Sequence, residues 1–388
     1  MSNPNRNVVV LAASLFGLAL GEELWQAYVP AYLTALGASG LAVGLYGSLK
    51  DLLDSLYQYP GGWLADRVGR RIALVTFTAT AMAGYALYAI APAWPAVFAG
   101  LFGVMAWKAG AFPTTFAVIG DSLPPGRRGL AFSVQSILVR VPRVVGAPLG
   151  GLLIAGLGIL LGIRVALVIT LVLASVVLGV QYFGYQSDRR GPIRSPSGNL
   201  RAVLSSMPAS LVRLLTADCL VRIGEGIATS FIVLFVLQTR HVSPETYGLL
   251  YAAQQAVAIA SYLPGGRVAD RSGRRSIVAL TFLFFAAFPM AVRLAPNEAA
   301  LVGAFVIGGL KEIGEPARKA LIVDLVPDNQ RARMVGLYYA MRNGLVVPAG
   351  LIGGLLWQRA PHLPLEAGCL VSAVGAIVFL ATTRGERW

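Results

Sequence analysis

Tyr59-Pro60-Gly61-Gly62-Trp63-Leu64-Ala65-Asp66-Arg67-Val68-Gly69-Arg70-Arg71 returns about 203 residues later as Leu263-Pro264-Gly265-Gly266-Arg267-Val268-Ala269-Asp270-Arg271-Ser272-Gly273-Arg274-Arg275. The offset holds to within one residue elsewhere. Gly21-Glu22 matches Gly224-Glu225, and Gly44 matches Gly248. Lys108, Pro113 and Asp121 match Lys311, Pro316 and Asp324, while Pro124 and Arg128 match Pro327 and Arg331. Agreement at this many positions at offsets of about 203–204 makes the chain a duplication of a single unit.

Outward from each copy the sequence is apolar. Of 388 residues, 56% are hydrophobic and only 13% charged, and mean hydropathy is +0.68. Soluble domains carry about a quarter charged residues, so this chain requires lipid as solvent. A helical span takes roughly 20 apolar residues. Breaks at charged or Pro/Gly-rich junctions predict twelve, at 8–36, 41–65, 72–91, 95–122, 129–157, 163–185, 208–238, 244–268, 276–295, 298–325, 333–358 and 364–383. The first run continues through Glu22, Glu23 and Trp25 without a small-residue cleavage site, so it reads as a span rather than a leader. The only long internal polar stretch is residues 186–207, which separates a first half, 1–185, from a second, 208–388.

The net charge of +14 is topological. Arg67, Arg70 and Arg71 lie in an even-numbered loop, as do Arg127 and Arg128, Arg189 and Arg190, Arg271 and Arg274, and Arg331 and Arg333. Odd-numbered loops offer only Arg240, Arg293 and Arg359. The positive-inside rule then predicts both termini in the cytoplasm and a multi-pass protein of the cell (inner or plasma) membrane. Such loops give no reason to expect nucleic acid as a partner. Cys219 and Cys369 lack metal-ligand spacing, and His241 and His362 fall in outer loops. With no nucleotide loop and no nucleophile–base constellation, the sequence reads as neither an enzyme nor a metalloprotein.

The segment Gly62-x-Leu64-Ala65-Asp66-Arg67-x-Gly69-Arg70-Arg71 resembles the signature loop of the major facilitator superfamily, and it occurs twice. The resemblance covers the whole chain through span count, linker and repeat. It implies an all-α membrane fold of two six-helix bundles related by a pseudo-two-fold axis, and a monomeric secondary transporter of a small molecule. It also implies a cytoplasmic gate, formed here by Gly62, Asp66, Arg67, Gly69, Arg70 and Asp121 and by Gly266, Asp270, Arg271, Gly273, Arg274 and Asp324. In the family, spans 1, 4, 7 and 10 line a central cavity and spans 3, 6, 9 and 12 are peripheral. Val144-Val145-Gly146-Ala147-Pro148-Leu149-Gly150-Gly151 resembles a proton-antiporter motif of span 5, with the proline displaced by one residue.

Ionisable residues inside the spans are the candidates for chemistry. They are Glu22 and Glu23; Lys50, Asp51 and Asp54; Lys108; Arg140 and Arg143; Asp218, Arg222 and Glu225; Lys311, Glu312, Glu315, Arg318 and Lys319; and Arg342. Each costs on the order of 2.5–3.5 kcal/mol at a helix centre, so they must face a wet interior and pair with one another. Spacings of four predict Lys50–Asp54, Asp218–Arg222, Lys311–Glu315 and Glu315–Lys319 pairs. All four lysines of the chain are within predicted spans, whereas the loops are written in arginine. Gln26 joins the candidate pathway, with Trp25, Tyr28 and Trp107 expected beside it. The combined expectation is alternating access to a midplane site, with no cofactor and the proton as coupling ion. The solute would be a small anionic or zwitterionic compound or drug, with export favoured. Uptake of an organic anion by symport or facilitation is the alternative, and a non-transporting receptor or scaffold is the alternative of another class.

Overall fold

The computed structural model describes residues 4–110, 125–185, 207–326 and 331–383. Within them the chain makes twelve helical passages and no strand. The first is α1 (Pro4–Glu23), a single 3-10 turn (Gln26–Tyr28) and α2 (Val29–Ala35). The next are α3 (Gly40–Val68), α4 (Arg70–Ile90), α5 (Trp94–Met105) with a π turn (Ala106–Gly110), α6 (Pro125–Leu157), and α7 (Ile159–Gly179) with a π turn (Val180–Gly184). The second half has α8 (Ala209–Leu234) with a π turn (Phe235–Thr239), α9 (Pro244–Ser272) and α10 (Arg274–Leu294). It continues with α11 (Glu298–Leu310) and α12 (Glu315–Asp324) as one broken passage, α13 (Arg331–Val346) and α14 (Ala349–Arg359) as another, and α15 (Leu363–Thr382).

Seven described helices are long and apolar enough to cross a membrane by length and composition alone: Val9–Ala35, Arg70–Ile90, Arg140–Leu157, Ile159–Gly184, Ala209–Thr239, Arg274–Leu294 and Leu363–Thr382. Three of the other passages fall short for physical reasons visible in the sequence. α3 carries Lys50, Asp51 and Asp54 along its middle. The passage α11–α12 is split at Lys311–Gly314, since Pro316 has no N–H to continue the ladder. α13 and α14 part at Val347–Pro348.

The repeated segment is less of a loop than its sequence suggests. α3 stays helical through Val68, and the reversal is confined to Gly69, at φ 86°. Its counterpart between α9 and α10 is Gly273, at φ 82°. A left-handed backbone at one residue between two helices suits glycine, which has no Cβ to clash. Asp66 therefore lies in the last turn of α3 instead of in a loop between spans. Arg71 and Arg275, which begin the following helices, reach the ends of more distant ones. The Arg71 guanidinium lies 4.7 Å over the Tyr182 ring, and Arg275 donates to Thr383 Oγ1 at 2.8 Å and to the Leu380 carbonyl at 3.1 Å. Cations at a helix C-terminus satisfy orphan carbonyls and the helix dipole.

Two compact units are present. One comprises residues 1–38, 52–194 and 243–252; the other comprises 39–51, 195–242 and 253–388. In the first, α1 packs on α6 and α7, and α4 on α5 and α7. In the second, α8 packs on α14 and α15, and α10 on α11 and α15. The units depart from the sequence halves at residues 39–51 and 243–252, where each half lends a short stretch to the other's unit. Glycine makes both loans. In the second unit a Cβ on Gly350 would meet the Gly44 carbonyl at 2.6 Å, and one on Gly354 the Gly40 carbonyl at 2.8 Å. In the first, a Cβ on Gly248 would meet the Ala147 carbonyl at 2.6 Å, beside Tyr28, whose hydroxyl shares its proton between the Ala147 and Pro244 carbonyls. Small residues let helix backbones approach this closely. Gly248→Val should cost on the order of 1–3 kcal/mol by overpacking. A thermal-unfolding midpoint in detergent that does not move would show this seam to be loose.

Candidate functional site

The first unit gathers its charges where helices are interrupted. α1 stops at Glu23 because the chain tightens: Leu24 N bonds the Gly21 carbonyl at 3.3 Å and Trp25 N the Glu22 carbonyl at 3.2 Å. Pro30, four residues beyond Gln26, offers no N–H to restore the α-helical ladder there. Glu22 and Glu23, both buried, thus end a helix, and Gln26 occupies the 3-10 turn. Lys108 sits in the π turn after α5, a distortion frequent at functional sites.

These breaks converge. Tyr85 of α4, itself fully buried, donates to Glu22 Oε1 at 2.6 Å. Lys108 Nζ lies 3.7 Å from Glu22 Oε2 and donates to Gln26 Oε1 at 2.5 Å. Arg143 pairs with Glu23 at 3.0 Å. Gly146 of α6 permits that pair, since a Cβ there would meet the Glu23 Cβ at 2.8 Å and its carbonyl carbon at 3.0 Å. Gly146 and Gly150 of the span-5 motif therefore serve close approach to the break in the first passage. Trp25 and Tyr28, expected beside the pathway, are instead buried between helices. Trp25 bonds Thr170 Oγ1 at 3.1 Å and packs edge-on against Tyr85 and Tyr88. Trp107 is also buried.

The second unit holds a denser network. Glu225 receives Lys311 at 2.6 Å and Arg222 at 2.8 Å. Glu315 pairs with Arg318, with Lys319 at 3.4 Å and with Arg222 at 3.5 Å. Asp218 pairs with Arg318, accepts from the Tyr338 hydroxyl at 2.9 Å, and has Arg342 at 3.8 Å and Arg222 at 3.9 Å. Asp218 and Arg318 are each 1% exposed, which makes this a fully desolvated ion pair. Lys311 also lies over the rings of Phe285, at 5.0 Å, and Phe288, at 5.5 Å.

Two of the four spacings predicted from the sequence are met. Asp218–Arg222 and Glu315–Lys319 are ion pairs. Lys311–Glu315 is not among the pairs formed: the helix breaks between them, and Lys311 turns to Glu225. Lys50, Asp51, Asp54, Arg140 and Glu312 are half-buried. Of the gate residues, Arg274 pairs with Asp324, and Arg67 lies 5.1 Å over the Trp63 ring. Asp121 and the side chains of Gly62, Asp66, Gly266, Asp270 and Arg271 lie outside the described residues. Among the described residues no group of acids, histidines and cysteines is placed to hold a metal ion.

Repeat symmetry accounts for the central pairs. Glu22 and Glu225 are equivalent positions, as are Lys108 and Lys311, and each glutamate meets the lysine of its own unit. Both lysines precede a proline by five residues (Pro113 and Pro316), so the break and the charge recur together. Tyr85, Tyr338 and the two phenylalanines were missed by reading charges alone. A tyrosine in an apolar span carries no mark of its partner, so only the packing of α4 and α13 identifies them.

The comparisons with known proteins agree with one another. A profile described as the Major Facilitator Superfamily matches residues 10–213 and again 214–388. An uncharacterised MFS-type transporter of Methanocaldococcus jannaschii is 21% identical over 97% of this chain and 94% of its own. A multidrug resistance efflux pump, a PmrA homologue of Lactococcus lactis, is 24% identical over 97% and 93%. The multidrug resistance protein MdtH of Cronobacter sakazakii is 25% identical over 90% and 86%. Among solved structures, the nucleoside transporter NupG aligns with a TM-score of 0.82 at 12% identity, covering 97% of this chain and 100% of that one. A bacterial homologue of ferroportin aligns at 0.75 and 14% identity, over 99% and 100%.

Proposed function

We propose, from the premise that the chain belongs to the Major Facilitator Superfamily, that it exports a small anionic or zwitterionic solute or drug in exchange for protons by alternating access. The chain is a multi-pass membrane protein and a secondary transporter rather than an enzyme. Export of drug-like solutes takes support from one relative that is a multidrug resistance efflux pump homologue and another that is a multidrug resistance protein.

The observation that carries proton coupling is the repeated Glu–Lys pair at interrupted helices. Discontinuous helices at a midplane site are the usual construction of secondary transporters. In the first unit Glu22 faces Lys108 at 3.7 Å and Tyr85, with Glu23 beside it in sequence and already taken by Arg143. Glu225 is held by two cations at 2.6 and 2.8 Å. Glu22 has the fewer and more distant cations of the two, and it is the one assigned to the proton. Protonation of Glu22 frees Lys108 to Gln26 or to a solute anion, and the two states then bind the proton differently, as coupling requires. The latch residues Asp66, Arg70 and Asp121, with Asp270, Arg274 and Asp324, would hold the cytoplasmic face of a chain whose two termini lie on that side, in the inner or plasma membrane.

The test is substrate counterflow in proteoliposomes with and without a pH gradient. An exchanger accelerates when the gradient opposes the solute, and the medium changes pH on solute addition. Flux indifferent to the gradient, with no accompanying pH change, would replace exchange by facilitation.

A further inference from the structure

The last arginine of the repeated segment is used differently in its two copies. In the second unit Arg275 caps the end of α15, donating to Thr383 Oγ1 at 2.8 Å and to the Leu380 carbonyl at 3.1 Å. Its equivalent in the first unit, Arg71, lies 4.7 Å over the Tyr182 ring at the end of α7. Arg6 of α1 comes to the same end, where it donates to the Phe183 carbonyl at 3.2 Å. Among the described residues neither Arg6 nor Arg71 meets a carboxylate, and Arg71 donates no hydrogen bond. The end of α7 is fixed in place. Within the π turn Val180–Gly184, the buried Gln181 accepts from the Thr78 hydroxyl of α4 at 2.9 Å, and a Cβ on Gly184 would meet Val10 of α1 at 2.9 Å. That anchoring leaves Tyr182 53% and Phe183 79% exposed, edge to face at 5.1 Å. Such helix distortions are frequent at functional sites. Two exposed apolar stripes run up to it. Val168, Val172, Val176 and Val180 follow one another at a spacing of four on α7, and Val9, Ala13 and Phe16 share the face of α1 that ends in Arg6. The linker that follows carries Arg189, Arg190, Arg194 and Arg201 against the single acid Asp188.

We infer that Arg6 and Arg71, with Tyr182, form a binding site for the headgroup of an acidic phospholipid, whose acyl chains lie along the valine stripe of α7. A guanidinium is a rigid fork of N–H donors matched to phosphate oxygens. Stacking on Tyr182 holds the Arg71 fork in one plane before the ligand arrives, which reduces the ordering cost of binding. Exposed aromatic rings such as Tyr182 and Phe183 favour the headgroup level of a bilayer. The apolar stripes select a lipid over a soluble phosphate, because each leads away from the arginines along a helix face open to acyl chains. The arginines select an acidic lipid over a zwitterionic one, because a choline headgroup would bring its own cation beside theirs. The positive-inside reading puts this end at the cytoplasmic leaflet, whose acidic lipids attract arginine close to the membrane surface. Arg275 performs the structural task of an arginine at this position by capping a helix, and Arg71 does not. The inference is independent of the solute and of the coupling ion.

Native mass spectrometry of the full-length protein in detergent tests it. The probes are dioleoylphosphatidylglycerol as the acidic lipid, dioleoylphosphatidylcholine as the zwitterionic one and glycerol phosphate as the headgroup without chains. An arginine near the membrane surface is worth about fivefold in affinity. Binding of phosphatidylglycerol should therefore weaken about fivefold in Arg71→Gln and roughly twenty-fivefold when Arg6→Gln is added. Arg71→Lys, which keeps the charge and loses the fork, should lose less than Arg71→Gln. Arg275→Gln removes the same charge from the equivalent position and should bind phosphatidylglycerol as the unaltered protein does. Phosphatidylcholine should bind more weakly than phosphatidylglycerol, and glycerol phosphate should not compete at the concentrations at which the lipid binds. The lipid-free thermal midpoint of Arg71→Gln should shift by less than about 2 °C, which separates a lost ligand contact from a lost fold. Equal binding of the two lipids, or phosphatidylglycerol held undiminished by the double variant, would overturn the site. So would an equal loss in Arg275→Gln, or glycerol phosphate competing as well as the lipid.

Discussion

Asp218→Ala should lower the thermal-unfolding midpoint of the full-length protein by more than any other single change in the charged network. Asp218 lies at 1% exposure against an equally buried Arg318, within 4 Å of Arg222 and Arg342, and accepts from Tyr338. Its removal leaves three guanidiniums around a site from which water is excluded. Breaking a buried pair by deleting one partner costs about 3–5 kcal/mol, because the remaining charge is stranded. For a unit of this size that is a fall of about 10 °C. The pair's own net worth is a separate quantity. Taking two ions out of water is expensive, and a buried pair replaced by apolar groups is often neutral in stability. Asp218→Ala combined with Arg318→Met should therefore recover a large part of the loss. If Asp218→Ala melts within 2 °C of the unaltered protein, or if the double variant is as damaged as the single one, the pair does not hold the unit together.

Lys108→Ala should abolish transport while leaving insertion and folding intact. Lys108 is only partly buried, and its deletion leaves Glu22 still bonded to Tyr85 at 2.6 Å. What disappears is the cation that Glu22 and Gln26 share, and with it the difference between protonated and unprotonated states. A loss of at least a hundredfold in counterflow, at unchanged yield and elution volume, is the expected result. Lys311→Ala should also stop transport but with a measurable cost in stability, since Lys311 ties Glu225 at 2.6 Å and covers Phe285 and Phe288. Normal transport by both variants would remove the repeated Glu–Lys pairs from the mechanism. Tyr85→Phe is the finer probe. It deletes one hydrogen bond to Glu22 and no charge, so it should move the pH dependence of flux and spare expression. A flux–pH profile that does not shift would make Tyr85 a packing residue only.

Much of the molecule was legible along the chain. The spans followed from apolar length, and their ends agree with the helices to within a few residues wherever both lie among the described residues. The duplication was a matter of counting offsets, and it marked Glu22, Glu225, Lys108 and Lys311 as equivalent before any contact was known. Helical spacing found the partners that lie on one helix, Asp218 with Arg222 and Glu315 with Lys319. It failed at Lys311–Glu315, where a periodicity argument assumes the very helix that Gly314 and Pro316 interrupt.

What the sequence by itself determined is the class of solvent, the number of passages, the duplication and the list of charges that had to be satisfied. These are properties of composition and period, which neighbours in the chain carry. Only the tertiary structure decided which acid meets which base, because those partners are separated by 86 residues for Glu225 and Lys311 and by 100 for Asp218 and Arg318. It also decided that Tyr85 and Tyr338 belong to the charged sites. The physical reason is the same for each. In an apolar interior a charge is paid for by whichever group packing brings within a few ångströms, and packing is a property of the folded helices together.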